Sequence, residues 1–325
     1  MPRPLARAVL FALLAPLRAG YWIPRSYLRR AAGNFCHATD RPDPWPVFSR
    51  MIHNIQEAAL QFARLHRNGR AGLLDDSALD NSVLEQLPQL AAQGRGVLVL
   101  VPHCAGAVLS SARLHAFHPT VLLVREPRQP GRRDLMLEYL RKLGPDFILV
   151  RNTPPATVMR QIVRALHDGK IVVGTTDLIH TGPDTVPTRI FGQPVHSPAW
   201  PARLSSRTGA PILPGYIHMD GNKIRLMAAT AYVASDIDHG TQRWLSGFED
   251  FFREYPSDWV FMLDKDWARV LTAAAESKKA AHSPASTPQE SAHVHQRNRG
   301  APQTGTLSRC LRLLGSRRDR DVQRR

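Results

Sequence analysis

The stretch Gly96–Ser111, GVLVLVPHCAGAVLSS, constrains the fold of this chain more than any other. Val97-Leu98-Val99-Leu100-Val101 is an unbroken apolar run bounded by Gly96 and Pro102. A half-exposed strand alternates apolar and polar residues, whereas a run this continuous reads as a parallel strand buried on both faces. His103 follows at its carboxyl end. In open α/β sheets that edge is where ligands bind, so an imidazole delivered there is a candidate base. The small residues Cys104-Ala105-Gly106-Ala107 let a substrate approach closely and allow a helix to start against the sheet.

The pattern recurs. Short apolar runs at Val121–Val124, Phe147–Val150 and Ile171–Gly174 alternate with helical periodicity over Ala107–Phe117, Arg132–Leu143 and Pro155–His167. Such alternation predicts an α/β fold, a mostly parallel central sheet flanked by helices. An antiparallel hairpin is expected at one edge, from Ile212–Ile217 and Lys223–Ala229 about Asp220-Gly221. Ahead of the sheet, beyond the Pro-rich segment Arg41–Pro46, apolar residues from Val47 to Leu65 recur at helical spacing up to Gly69. The last core helix is expected over Thr241–Glu254.

With 325 residues, 43% of them apolar, the chain can bury one large core with extensions at its ends. Residues 1–33 read as an amphipathic membrane anchor. Arg3 and Arg7 precede the apolar run Ala8–Leu17, and Arg18, Arg25, Arg29 and Arg30 follow it. The run contains Pro16, lacks a small-residue cleavage site, and falls short of the roughly 20 apolar residues of a bilayer crossing. It is expected to lie in the cytoplasmic leaflet, with arginines on the headgroups and Leu10, Phe11, Leu13, Leu14 and Trp22 in the acyl boundary. The alternative is a first core-packing helix. Residues 34–272 form the α/β domain. From Ala273 to Arg325 the composition turns to Ala, Ser, Pro, Gln, His and Arg, and this segment is read as a disordered basic tail.

A net charge of +16 favours an anionic partner: an acidic membrane surface, a phosphorylated substrate or nucleic acid. With 7% aromatic residues and no recognition motif, nucleic acid is not expected. Cys36, Cys104 and Cys310 are too scattered for a disulfide framework, which points to a reducing compartment.

Polar residues stand at the ends of all four apolar runs. Asp177, after Ile171–Thr176, reaches the same sheet edge as His103 if both runs are parallel strands. Arg125 follows Val121–Val124, and Arg151 follows Phe147–Val150. Arg151 leads into Asn152-Thr153-Pro154-Pro155, the first turn of a helix, where a guanidinium and free backbone N–H groups together suit an anion. Each alone has a structural reading: a satisfied core histidine, a solvated turn aspartate, a basic face. Four on four consecutive strand ends are harder to dismiss. Cys104 is a poor nucleophile for His103, because neighbours along an extended chain face opposite ways. The 14 histidines show no metal-ligand spacing, and there is no phosphate loop, GxGxxG or GxSxG, so no metal or cofactor is called for.

Taken in order, Pro102-His103, Val124-Arg125-Glu126-Pro127, Arg151 ahead of a helix, Asp177, Ile190-Phe191-Gly192, Thr208-Gly209-Ala210 and Tyr255-Pro256-Ser257-Asp258-Trp259 resemble the lipid A biosynthesis acyltransferases. These are the lauroyl and myristoyl transferases of the larger lysophospholipid acyltransferase group, and the resemblance runs from about Tyr21 to Trp267. It implies transfer of an acyl group from acyl carrier protein or acyl-CoA to a hydroxyl of a glycolipid at the cytoplasmic face of the inner membrane. Lipid A precursors are the family default, and a pigment or other specialised lipid is an alternative acceptor. In the family a His and an acid five residues on, HxxxxD or HxxxxE, form the catalytic dyad. Here His103 matches the base, but Val108 stands at the acid position. Asp177 is the expected substitute, with Glu126 and Asp134 behind it, and a backbone carbonyl as a weaker alternative. Arg125, Glu126 and Arg151 are assigned to substrate binding. The competing reading is a catalytically impaired family member that kept the fold as a lipid-binding or scaffold protein.

Overall fold

The computed structural model describes residues 3–179, 182 and 184–282. The helices are α1 (Arg3–Trp22), α2 (Tyr27–Ala38), α3 (Pro44–Asn68), α4 (Ala71–Leu74), α5 (Asn81–Ala91), α6 (Ala107–Phe117), α7 (Pro130–Leu143), α8 (Pro155–His167), α9 (Trp200–Thr208), α10 (Ile237–Glu254) and α11 (Lys265–His282). The strands are β1 (Ser77–Leu79), β2 (Val97–Val101), β3 (Thr120–Val124), β4 (Asp146–Leu149), β5 (Ile171–Thr175), β6 (Thr185–Ile190), β7 (Gln193–Pro198), β8 (Ile212–Asp220) and β9 (Lys223–Ala228).

Seven strands form one sheet in the order β1-β9-β8-β2-β5-β3-β4, flanked by helices. The five from β8 to β4 run parallel, and β8 turns back antiparallel into β9. The mostly parallel α/β sheet expected from the apolar runs is therefore present. β2 lies at its centre, and none of its five side chains is more than 3% exposed. Gly96 enters it with φ of 65°, and a β-carbon there would come within 2.7 Å of the Leu166 backbone, so only glycine fits. The β8–β9 hairpin is not the edge: β1 pairs parallel to β9 outside it. Three residues are too few to carry a periodic signal. The separate β6–β7 hairpin, rich in Thr, Pro and Ser, also gave no apolar alternation.

The N-terminal segment combines both readings of the sequence. In α1, Ala6, Leu10, Leu14 and Tyr21 turn inward, while Leu5 (53% exposed), Phe11 (55%), Leu13 (68%) and Leu17 face out, as does Trp22. The helix is long and apolar enough to cross a membrane by length and composition, and Pro16 does not end it. Two of its arginines also reach the body: Arg7 binds the buried Glu57 at 2.8 Å, and Arg18 donates to Gln56 at 3.2 Å. The boundary drawn at residue 33 falls inside α2, whose Ala31, Ala32, Phe35, Cys36 and Ala38 are buried in the core.

The boundary drawn at Ala273 also moves, because α11 continues to His282. Its small residues let it pack closely: Ala274 and Ala275 are buried, and Asn34 of α2 donates to Thr272 at 2.8 Å. Composition alone reads an alanine-rich helix end as low complexity. The remainder of the tail, from residue 283, lies outside the described residues.

Candidate active site

Two residues beyond Val101, His103 leaves the end of β2; two residues beyond Thr175, Asp177 leaves the end of β5. Val101 and Thr175 are register partners in adjacent parallel strands. The equal offsets bring the two side chains together. His103 Nδ1 and Asp177 Oδ1 lie 2.5 Å apart, and the His103 backbone N–H donates to Asp177 Oδ2 at 2.8 Å. Trp259 Nε1 donates to the same oxygen at 2.8 Å, and Trp267 Nε1 donates to the Asp177 carbonyl at 2.7 Å. The Asp177 side chain is fully buried, whereas that of His103 is 28% exposed. A carboxylate on Nδ1 fixes the tautomer that carries its proton there and leaves the Nε2 lone pair outward, the arrangement of a general base.

The ring is held as firmly as the carboxylate. It stacks on Phe261 at 3.8 Å with 7° between planes. Phe261 belongs to a strap, residues 255–261, that crosses the strand ends. Val260 N–H donates to the His103 carbonyl, and Ala105 N–H donates to the Asp258 carbonyl. Behind it, Trp259 stacks on Phe252 at 4.2 Å and meets Trp267 edge-on at 4.9 Å. Gly106, at φ of 83°, turns the chain from this strap contact into α6, and Met219 Sδ sits 3.1 Å from where its β-carbon would be.

Val108, on the first turn of α6, is 45% exposed and has no part in the pair. It lines a cavity of about 50 Å3 with Val101, Leu122 and Val173. That cavity shares Leu123, Gly174 and Thr175 with one of about 340 Å3, walled by Val150, Val158, Met159, Ile162, Leu178 and Trp200. Arg125, exposed at the end of β3, lies on the wall of the larger cavity together with Asp184.

Arg151 and Glu126 meet each other and not the histidine pair. Glu126 is buried, and its carboxylate accepts the N–H groups of Arg151 and Asn152, both at 3.1 Å, while Arg151 Nε donates to the Glu126 carbonyl at 2.6 Å. Burial opposes ionisation of Glu126, but these backbone donors, its own N–H and nearby Arg133 hold its carboxyl below the usual range. Glu126 thus clamps the ends of β3 and β4 together. Cys104 is buried, and burial, with Asp258 and Asp177 nearby, pushes its thiol well above the ordinary value. It is no thiolate nucleophile. Asp134 makes no contact with His103 among the described residues.

Sequence reasoning quoted Trp259 only as part of the resemblance and did not place it, Trp267 or Phe261 in the site. Their signal was faint: a tryptophan-bearing turn more than 150 residues after β2 gives no indication that it folds back over that strand.

A model of the bacterial lipid A biosynthesis acyltransferases matches residues 58–269, a span that includes β2, β5, the histidine pair and the strap. The chain belongs to this family. Among curated relatives, a phosphatidylinositol mannoside acyltransferase of Mycobacterium tuberculosis is 26% identical over 204 residues, covering 61% of this chain and 61% of that protein. The protein of the same name from Mycolicibacterium smegmatis is 26% identical over 214 residues, 63% of this chain and 66% of that one. The match to the first of these relatives thus spans less than two thirds of its length.

Proposed function

We propose that this lipid A acyltransferase family member moves a fatty acyl group from a thioester donor, acyl carrier protein or acyl-CoA, to a hydroxyl of a glycolipid or related lipid. The observation that carries the reading is the contact of His103 Nδ1 with Asp177. Nε2 of His103 takes the proton of the acceptor hydroxyl as its oxygen attacks the thioester carbonyl. The tetrahedral oxyanion then collapses, the C–S bond breaks, and the imidazolium gives its proton to the departing thiolate. Asp177 orients the ring and stabilises the imidazolium, the part that an acid at position 108 would otherwise play.

The apolar cavity beside Gly174 and Trp200 fits the acyl chain, with Val108 as part of its approach and Arg125 at the wall for the donor's phosphate or pantetheine arm. Arg151, fixed by Glu126, offers the rest of its guanidinium to an anionic group. The names of the relatives support a glycolipid acceptor. The outward apolar row of α1 supports a monotopic position, which we place at the cytoplasmic face of the inner membrane. Mass spectrometry of total lipids from cells with and without the chain tests the reading. A lipid heavier by one acyl group, present only with the chain, is expected; identical lipid profiles would refute it.

A further inference from the structure

One strand over from His103, on the neighbouring β8, His218 repeats its construction. His218 Nδ1 lies 2.7 Å from Asp258 Oδ2, and the Asp258 side chain is 2% exposed against 25% for the imidazole. As with Asp177, the second carboxylate oxygen is taken by a backbone N–H next to the histidine, that of Met219 at 3.1 Å, and by a side-chain N–H, that of Asn54 at 2.8 Å. An aromatic ring again backs the imidazole: Tyr255 lies 4.4 Å from it. Both aromatic partners and the aspartate belong to the strap that holds His103, and the Asp258 carbonyl accepts the Ala105 N–H. The two segments that carry the histidines are therefore pinned to one another through Asp258. β2 and β8 are paired parallel strands, Leu98–Leu100 against Ile212–Pro214, ahead of both histidines.

The three donors offset the cost of burying the Asp258 carboxylate, while the His218 ring they hold stays a quarter exposed, which packing alone does not require. With Nδ1 committed as donor, the neutral imidazole has one further capability: Nε2 accepts a hydrogen bond. Nε2 has no protein partner among the described residues. The complementary ligand group is a hydroxyl.

We propose that His218, oriented by Asp258, is a positioning residue whose Nε2 accepts a hydrogen bond from a second hydroxyl of the acceptor headgroup, beside the one acylated. The proposal rests on the acyltransferase reading and adds that His103 and His218 hold two hydroxyls of one headgroup. It predicts discrimination against acceptors with a single hydroxyl, because a site built to bond a hydroxyl loses that bond when the group is absent.

The test uses the full chain and two substitutions. His218→Asn keeps an amide at the Nδ1 position for Asp258 and removes Nε2; His218→Gln places an amide oxygen near Nε2. Binding is measured to phosphatidylcholine vesicles carrying either galactosyldiacylglycerol, a neutral polyol lipid, or diacylglycerol, which has one hydroxyl. Transfer from palmitoyl-CoA to each is measured beside hydrolysis of the thioester by water. H218N is expected to weaken binding to the galactolipid vesicles about tenfold, the order of one hydrogen bond, and to shift partition from transfer toward hydrolysis, with partial rescue by H218Q. Equal loss on both vesicle types, or no loss on the galactolipid, would overturn the proposal, as would rescue absent in H218Q. If the wild-type chain neither transfers nor hydrolyses, the acyltransferase reading fails, and vesicle binding still decides the role of His218.

Discussion

Replacing Asp177 by Asn separates an orienting carboxylate from a structural one. Asp177 receives three N–H groups: His103 Nδ1 at 2.5 Å, the His103 backbone at 2.8 Å and Trp259 Nε1 at 2.8 Å. An asparagine oxygen can keep the last two, in the position of Oδ2. Its NH2 then faces Nδ1, and the ring must turn its lone pair toward that donor and carry its proton on Nε2. A base protonated at the reacting nitrogen takes no proton from the acceptor. The comparable loss in a serine protease lowers turnover by about 10⁴, which corresponds to about 5.5 kcal/mol of lost transition-state stabilisation. The stability cost is smaller, about 1–3 kcal/mol for one charge-assisted bond lost in a buried site. The assay is thiol release from a long-chain acyl thioester with lipid acceptor in vesicles, run beside thermal unfolding and ring 15N spectra of His103. Asp177→Asn should remain folded, show the Nε2–H tautomer and lose about 10³- to 10⁴-fold in turnover. Turnover within tenfold of wild type in a folded Asp177→Asn variant would refute the reasoning.

Two further outcomes follow from the same geometry. Val108→Glu restores an acid at the family position, but Asp177 already holds Nδ1 and the new carboxylate enters an apolar passage. The variant should lower transfer, roughly tenfold, a typical cost for one unfavourable polar group; a gain of transfer from an inactive wild type would show instead that the wild-type site is dead. In α1, Phe11→Glu with Leu13→Glu removes two outward apolar side chains, 55% and 68% exposed, without touching the stripe packed on α3. Partition to anionic vesicles should fall by roughly thirtyfold, or about 2 kcal/mol, with the melting temperature held, as flotation and calorimetry would show; unchanged flotation would remove α1 as the membrane-facing element.

The parts of the fold that continuous apolar runs announce were legible. β2, α6 and α8 begin and end where the sequence places them, because Gly96, Pro102 and Pro155 punctuate the runs. His103 and Asp177 were legible as residues at strand ends. Their contact was not, since it depends on β2 and β5 being neighbours, and 74 residues separate the two side chains. Strand order is set by how helices cover the sheet, which no local pattern records. The strap was illegible for a related reason: Asp258, Trp259 and Val260 pair by backbone with residues 103–105, and an isolated bridge leaves no periodicity. The signal of the α1 arginines was ambiguous, because charge next to an apolar run looks alike whether it meets a headgroup or, as Arg7 does, a buried Glu57.

The central claim is that His103, held by Asp177, is the base of an acyl transfer. Purified wild-type chain and His103→Ala, matched for folding by thermal unfolding, would be given the same acyl thioester and lipid acceptor, with free thiol and acylated product both quantified. Wild type should form thiol and acylated lipid in equal amounts while His103→Ala falls by at least about 10³-fold. Equal transfer by the two proteins would contradict the account.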